Sequence, residues 1–155
     1  MTIIGIDPGF DRIGWGVIDC HARQCHVLAY GCIQTNHRSD IFTRYQQIMT
    51  ELTDILIAHQ PVVAAIESLF FAKNQKTALR VSEARGVIIS HLLKAGCQVV
   101  EYTPQAVKIA VTGYGRADKK AVEKMVRSEL NLKQNTLIDD TLDALAVAVT
   151  HGIST

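Results

Sequence analysis

Read for apolar spacing, the chain opens on a short continuous run, Ile3-Ile4-Gly5-Ile6, that ends in Asp7 and the turn pair Pro8-Gly9. Residues 2–7 are a predicted buried strand. Residues 13–19 and 26–34 are two more, and the short links between them predict antiparallel hairpins. Over 40–59, Ile41, Tyr45, Ile48, Leu52, Ile55 and Leu56 recur at helical spacing, with Ser39 or Asp40 as the cap and Pro61 as the stop. Val62 to Ile66 is a second continuous apolar run, short enough for a strand buried on both faces, and Glu67 follows it directly. Helical spacing returns over 75–95 and closes at Gly96. Residues 97–102 read as a strand, and Pro104 opens a short helix to about 112. Gly113-Tyr114-Gly115 interrupts the chain, and Asp118 caps a basic helix to about 130. A last helix runs from about 136 to 151, where Thr136 and Asp139 resemble a capping box. This order predicts an α/β fold: a mixed sheet with antiparallel hairpins first and crossover helices later, in one domain spanning 1–155.

Two of the helices carry unusual patterns. In 75–95 the apolar positions cover roughly 220° of the wheel at about 100° per residue, where a one-sided helix shows a stripe of about 100°. Either its own domain covers the helix on all sides, or one face meets a second copy of the chain. In the last helix, Asp140 and Asp143 share a face opposite the stripe of Ile138, Leu142, Leu145 and Val149, and the small residues Ala144 and Ala148 permit close approach to another surface. His151 stands about 12 Å along the axis from Asp143, too far to join it, and reads as a structural or surface histidine.

Composition narrows the class. With 48% hydrophobic residues the chain can bury a sizeable core, yet no apolar run is long enough to span a membrane. No basic stretch followed by a signal-type apolar segment opens the chain, so a cytoplasmic protein is expected. Cys20, Cys25, Cys32 and Cys97 lack metal-binding spacing and are expected as reduced, mostly buried thiols. Net charge is only +1 but segregated: residues 1–60 hold four basic and six acidic residues, whereas 73–94 and 108–133 are each +4. Such segments suit a polyanion-binding face, or are ordinary solvated helix faces.

The acids pose the chemical question. A buried strand that ends in a carboxylate needs a reason. Asp7 could cap its own turn, and Asp140 with Asp143 could be a solvated pair near a helix N-terminus. The alternative unites Asp7, Glu67, Asp140 and Asp143 in one site. Without a matched cysteine or histidine cluster, that site would use hard oxygen donors for Mg²⁺ or Mn²⁺, and two such ions cleave phosphodiesters.

These residues fall within motifs that together resemble the RuvC family of Holliday-junction resolvases, within the RNase H-like nuclease fold. The motifs are Gly5-Ile-Asp-Pro-Gly9 with Gly14-Trp-Gly-Val17, Ile66-Glu-Ser-Leu-Phe-Phe-Ala-Lys-Asn74, Ala84-Arg-Gly86, Gly113-Tyr-Gly115 with Ala117-Asp-Lys119, and Asp140-Thr-Leu-Asp-Ala-Leu-Ala146. The resemblance implies a five-stranded RNase H-like sheet flanked by helices and a magnesium-dependent endonuclease, with two ions per site and manganese as a substitute. It assigns Asp7, Glu67, Asp140 and Asp143 as metal-binding catalytic acids. It further implies a homodimer, joined through the helix 75–95, on four-way junction DNA. Two symmetric nicks would leave 5′-phosphates, and the RuvA-RuvB branch-migration complex would be the partner assembly. Phe70 matches an aromatic near the branch point, suited to stacking on unpaired bases. Lys108 and Lys119 match lysines near the scissile phosphate, and charge alone adds Arg116, Lys120 and Lys73 as phosphate contacts. Trp15 and Ala121 depart from the family's common Tyr and Gln. Rival classes are an RNase H-like enzyme acting on RNA, a junction binder without catalysis, and an actin-like ATPase, whose second lobe this length does not accommodate.

Overall fold

The computed structural model describes residues 1–68, 75–132 and 137–155, leaving aside the side chains of 75–77. In chain order the elements are β1 (Thr2–Asp7), β2 (Arg12–His21), β3 (Gln24–Gln34), α1 (Ile41–His59), β4 (Val63–Glu67), α2 (Gln75–Lys94), β5 (Gln98–Tyr102), α3 (Pro104–Thr112), α4 (Lys119–Glu129) and α5 (Asp139–Ser154). They form a five-stranded sheet in the order β3-β2-β1-β4-β5. The β1–β2 and β2–β3 pairs are antiparallel, while β1–β4 and β4–β5 are parallel. This is the mixed sheet expected from the sequence.

Side chains alternate across the sheet, so each strand feeds two cores. Ile4, Ile6, Val17, Ala64 and Ile66 pack against Ile48, Leu52 and Leu56 of α1 and Ala84, Ile88 and Leu92 of α2. Ile3, Ile18, Val63 and Ala65 pack on the other side, against α3, α4 and α5. Asp40 caps α1 by accepting from the Phe42 and Thr43 amides, and Gln60 closes it in the left-handed region. Thr103 caps α3 ahead of Pro104, and Asp118 caps α4.

Two expectations change. The β2–β3 hairpin is longer than its apolar pattern, because Ala22 and Arg23 both take positive φ (48° and 67°) and form a two-residue turn. That turn sets Cys20 opposite Cys25, and the two form a disulfide, so these cysteines are not reduced thiols. Cys32 and Cys97 are free. Second, α5 begins after Ile138, which offers no side-chain cap. Asp139 is therefore inside the first turn rather than in a capping box, and Thr136 lies outside the described residues. Of the two readings of the wide stripe on α2, coverage by its own chain on all sides is the one that fails: Ala84, Ile88 and Leu92 are inaccessible, while Leu79 and Leu93 are exposed. His151 proves structural, buried with its Nδ1 hydrogen-bonded to the Tyr102 hydroxyl at 2.9 Å.

Candidate active site

Asp7 and Glu67 are the last residues of β1 and β4. These strands pair in parallel with Ile6 opposite Ile66, so the two acids stand side by side at the strand ends. Alternation sets their face. Asp7 is in phase with Ile3, and Glu67 with Val63 and Ala65, all of which belong to the core shared with α3, α4 and α5.

Helix α5 reaches this edge because β1 and β2 carry glycines where it lies. A Cβ on Gly5 would overlap the Ala144 carbonyl oxygen, and one on Gly14 would overlap the carbonyl of Asp140. Gly5 and Gly16 are register partners, and Gly14 pairs with Asp7 itself. The bare strip lets the helix backbone rest on the sheet. Its N-terminal end, with Asp140 in the first turn and Asp143 just beyond it, arrives beside Asp7.

The turn between β1 and β2 is held from behind. Arg44 of α1 is buried, donates from Nε and Nη2 to Thr35 Oγ1 (2.9 and 2.7 Å) and from Nη2 to the Phe10 carbonyl (3.1 Å), and pairs with Asp11. Its guanidinium also covers the Phe10 ring, 3.5 Å from the centroid. The segment joining Asp7 to Arg12 is thereby fixed to α1.

Electrostatics couple Asp7 to the other three acids. Burial, then Asp143, Glu67 and Asp140, push the Asp7 carboxyl from its ordinary 3.8 up to about 7, against a smaller opposing pull from Lys119. Burial and then Asp143 also raise Glu67, opposed by Lys119 and Lys108. Two cations hold the helix acids. Arg12 Nε lies 2.7 Å from Asp140 Oδ2. Lys119 Nζ donates to Asp143 Oδ2 at 3.0 Å and lies 3.6 Å from Asp139. Burial works against the Lys119 ammonium, but the hydrogen bond and charge of Asp143, with Asp139 and Glu123, raise its pKa overall. Among the described residues, no three acid, histidine or cysteine groups close around a single point. The four acids are neighbours, not a tight cage. Their chemistry still fits a hard divalent cation: all donors are carboxylate oxygens, and ionising them together is costly without added positive charge.

A cavity of about 270 Å³ adjoins the acids between α3, α4 and α5. Glu67, Asp143, Lys108 and Lys119 line it together with Val107, Val122 and Val147. The structure thus brings Lys108 and Lys119 to the acids. Arg116 is exposed on the connection between α3 and α4, and Lys120 is exposed in the first turn of α4. Phe70 and Lys73 lie outside the described residues. Arg12 and Arg44 were not anticipated. A signal existed for Arg44, which falls on the buried i, i+4 row of Ile48, Leu52 and Leu56.

A mixed sheet with acids at the ends of two adjacent parallel strands, and more acids on a helix lying across them, defines a nuclease of the RNase H-like class. Residues 3–151 match the family described as crossover junction endodeoxyribonuclease RuvC, and the chain belongs to that family. The crossover junction endodeoxyribonuclease RuvC of Caldicellulosiruptor saccharolyticus is 45% identical over 99% of this chain and 93% of its own length. That of Moorella thermoacetica is 45% identical over 98% and 91%. Among solved structures, T. thermophilus RuvC in complex with Holliday junction substrate superposes with a TM-score of 0.93 at 32% identity, covering 99% of this chain and 94% of that one. The yeast mitochondrial resolvase Ydc2 shares the fold, with a TM-score of 0.71 at 12% identity over 97% of this chain and 77% of that one.

Proposed function

We propose that this chain is a metal-dependent endonuclease that resolves four-way DNA junctions in recombination and repair, nicking two strands symmetrically and leaving 5′-phosphate and 3′-hydroxyl ends. The observation that carries the reading is the gathering of Asp7, Glu67, Asp140 and Asp143 at one sheet edge, with the Asp7 carboxyl pushed up to about 7 by burial and its acid neighbours. These four residues would hold two Mg²⁺ ions, with Mn²⁺ as a substitute. When bound, such ions supply the activation of water and the stabilisation of the leaving oxygen. The chain's own part is to fix the acids at the strand ends through α5 and the clamped turn. Lys108 and Lys119 present positive charge to the phosphate beside them, and Arg116, Lys120 and Lys73 extend that field along the DNA backbone. Phe70 stacks on an unpaired base at the branch point. Water attacks phosphorus in line, so no covalent enzyme intermediate is required.

Two symmetric cuts call for two sites, and α2 supports a homodimer. Leu79, Gly86 and Leu93 recur every seven residues along its exposed side, and a side chain at Gly86 would meet nothing within 4 Å. A leucine row with a bare centre admits a second helix at close range. Leu93→Asp should convert the dimer to monomers in sedimentation velocity. The cytoplasm is the compartment, and the RuvA-RuvB branch-migration complex the partner assembly, that fit this activity. No helix among the described residues is long and apolar enough to cross a membrane.

The deciding experiment compares labelled four-way junction, linear duplex and RNA–DNA hybrid, each with Mg²⁺ and with EDTA. Paired nicks confined to the junction, and only with Mg²⁺, are expected. Equal cutting of all three substrates would overturn the reading.

A further inference from the structure

Arg12 has no assigned part in the chemistry above. It opens β2, directly after the turn that Arg44 clamps, and its Nε lies 2.7 Å from Asp140 Oδ2. Cys32, the register partner of Gly14, brings its Sγ to 4.0 Å from the same oxygen. The backbone of Asp140 is seated too, since its carbonyl occupies the space a Gly14 side chain would take. Main chain and side chain of this acid are therefore both held by the start of β2, while Ile138 leaves the α5 N-terminus without a side-chain cap. The Arg12 side chain is about half exposed, at 48%, and the Asp140 side chain about a quarter, at 27%.

We propose that Arg12 is a positioning residue: its guanidinium holds the Asp140 carboxylate in the orientation from which it ligates a divalent cation. The inference rests on Asp140 being a metal ligand. A carboxylate at the first turn of an uncapped helix, with Asp139 and Asp143 as neighbours, would otherwise swing away from them. One carboxylate oxygen held by a guanidinium fixes the plane in which the other can ligate. Partners of this kind, one bond behind the ligand, typically set metal affinity by about 10–100-fold. The direction is not trivial, because removing a cation beside the site also removes repulsion toward an incoming one. The geometry favours orientation over charge: the pair is a short contact from a side chain whose backbone is fixed by the Arg44 clamp.

The test is a calorimetric Mn²⁺ titration of the DNA-free protein, run on wild type, Arg12→Ala, Arg12→Gln and Asp140→Asn, alongside junction binding in EDTA at several salt concentrations. Arg12→Ala should weaken Mn²⁺ binding about tenfold or more. Arg12→Gln, which keeps an N–H donor without the charge, should lose less. Junction affinity and its salt slope should stay at the wild-type value in both, a pattern that general destabilisation does not produce. Unchanged or tighter Mn²⁺ binding in the Arg12 variants would overturn the proposal. So would a drop in junction affinity with a shallower salt slope, which would make Arg12 a phosphate contact. Asp140→Asn separates the two levels: if it binds Mn²⁺ as wild type does, the ligand assignment itself fails and the Arg12 inference with it.

Discussion

Replacing Asp7 by asparagine should stabilise the metal-free protein while it abolishes cleavage. The folded carboxyl titrates at about 7, against an ordinary 3.8, because burial and three acid neighbours oppose its charge. As pH rises through this window the unfolded chain gives up the proton first, while the folded chain still holds it. Folding stability therefore falls between the two values, and the loss is complete above 7. At about 1.4 kcal/mol per pH unit, the interval corresponds to about 4 kcal/mol. Asparagine has nearly the same shape and never ionises. It still leaves a polar amide in a largely buried position, which takes back about 1 kcal/mol. The net gain at pH 8 is about 3 kcal/mol, or about 6–12 °C in melting temperature for a chain of this size.

The assay is a series of thermal melts of wild type and Asp7→Asn in EDTA from pH 4 to pH 8.5. The curves should nearly coincide at pH 4, and the variant should pull ahead through neutrality. Saturating Mg²⁺ should close the gap by stabilising the wild type more than the variant. If the two proteins melt together at pH 8 in EDTA, or differ by a constant amount at every pH, the electrostatic account of the site is wrong.

Gly14→Ala places a methyl group on the Asp140 carbonyl, so it should cost about 3 kcal/mol in a urea melt and reduce cleavage by lifting the first turn of α5 from the sheet. Arg44→Met removes both donors to Thr35 Oγ1, one of the two donors to the Phe10 carbonyl and the cation paired with Asp11, which should cost about 2–3 kcal/mol by the same measurement. Cys20 and Cys25 face each other across the hairpin, so in oxidised protein neither should react with iodoacetamide until a reductant is added, whereas Cys32, half-buried and free, should react without one.

Much of the fold was written in local pattern. Continuous apolar runs that stop at an acid gave β1 with Asp7 and β4 with Glu67, and helical spacing put Asp140 and Asp143 on one face. These are properties of single segments. What stayed hidden depends on how segments meet. The Cys20–Cys25 pair needs the register of the hairpin, and that register is set by Ala22 and Arg23 in the left-handed region. Neither is the Asn or Gly that marks such a turn in a sequence, so the strands seemed to end earlier. Arg12 drew no assignment, and Lys119 drew one only through the family resemblance, because nothing local says that α5 brings its acids to them. Arg44 could have been found on its helical row, but an arginine there is ordinarily taken for the solvated side.

The residues that join fold to site are mostly ones without side chains. Gly5, Gly14 and Gly16 lie along β1 and β2 under α5, and each would collide with the helix if it carried a Cβ. Had valine or isoleucine stood at these positions, as strand propensity favours, α5 would still have an apolar stripe to bury. It would ride higher on the sheet, however, and its first turn would miss the strand ends. The three glycines give up strand propensity and packing area, and Asp7 adds the cost of a buried carboxyl among acids. Those costs serve a single geometric result, the approach of Asp140 and Asp143 to Asp7 and Glu67. They are offset elsewhere, in the fully buried isoleucines and leucines that hold both helical layers to the sheet.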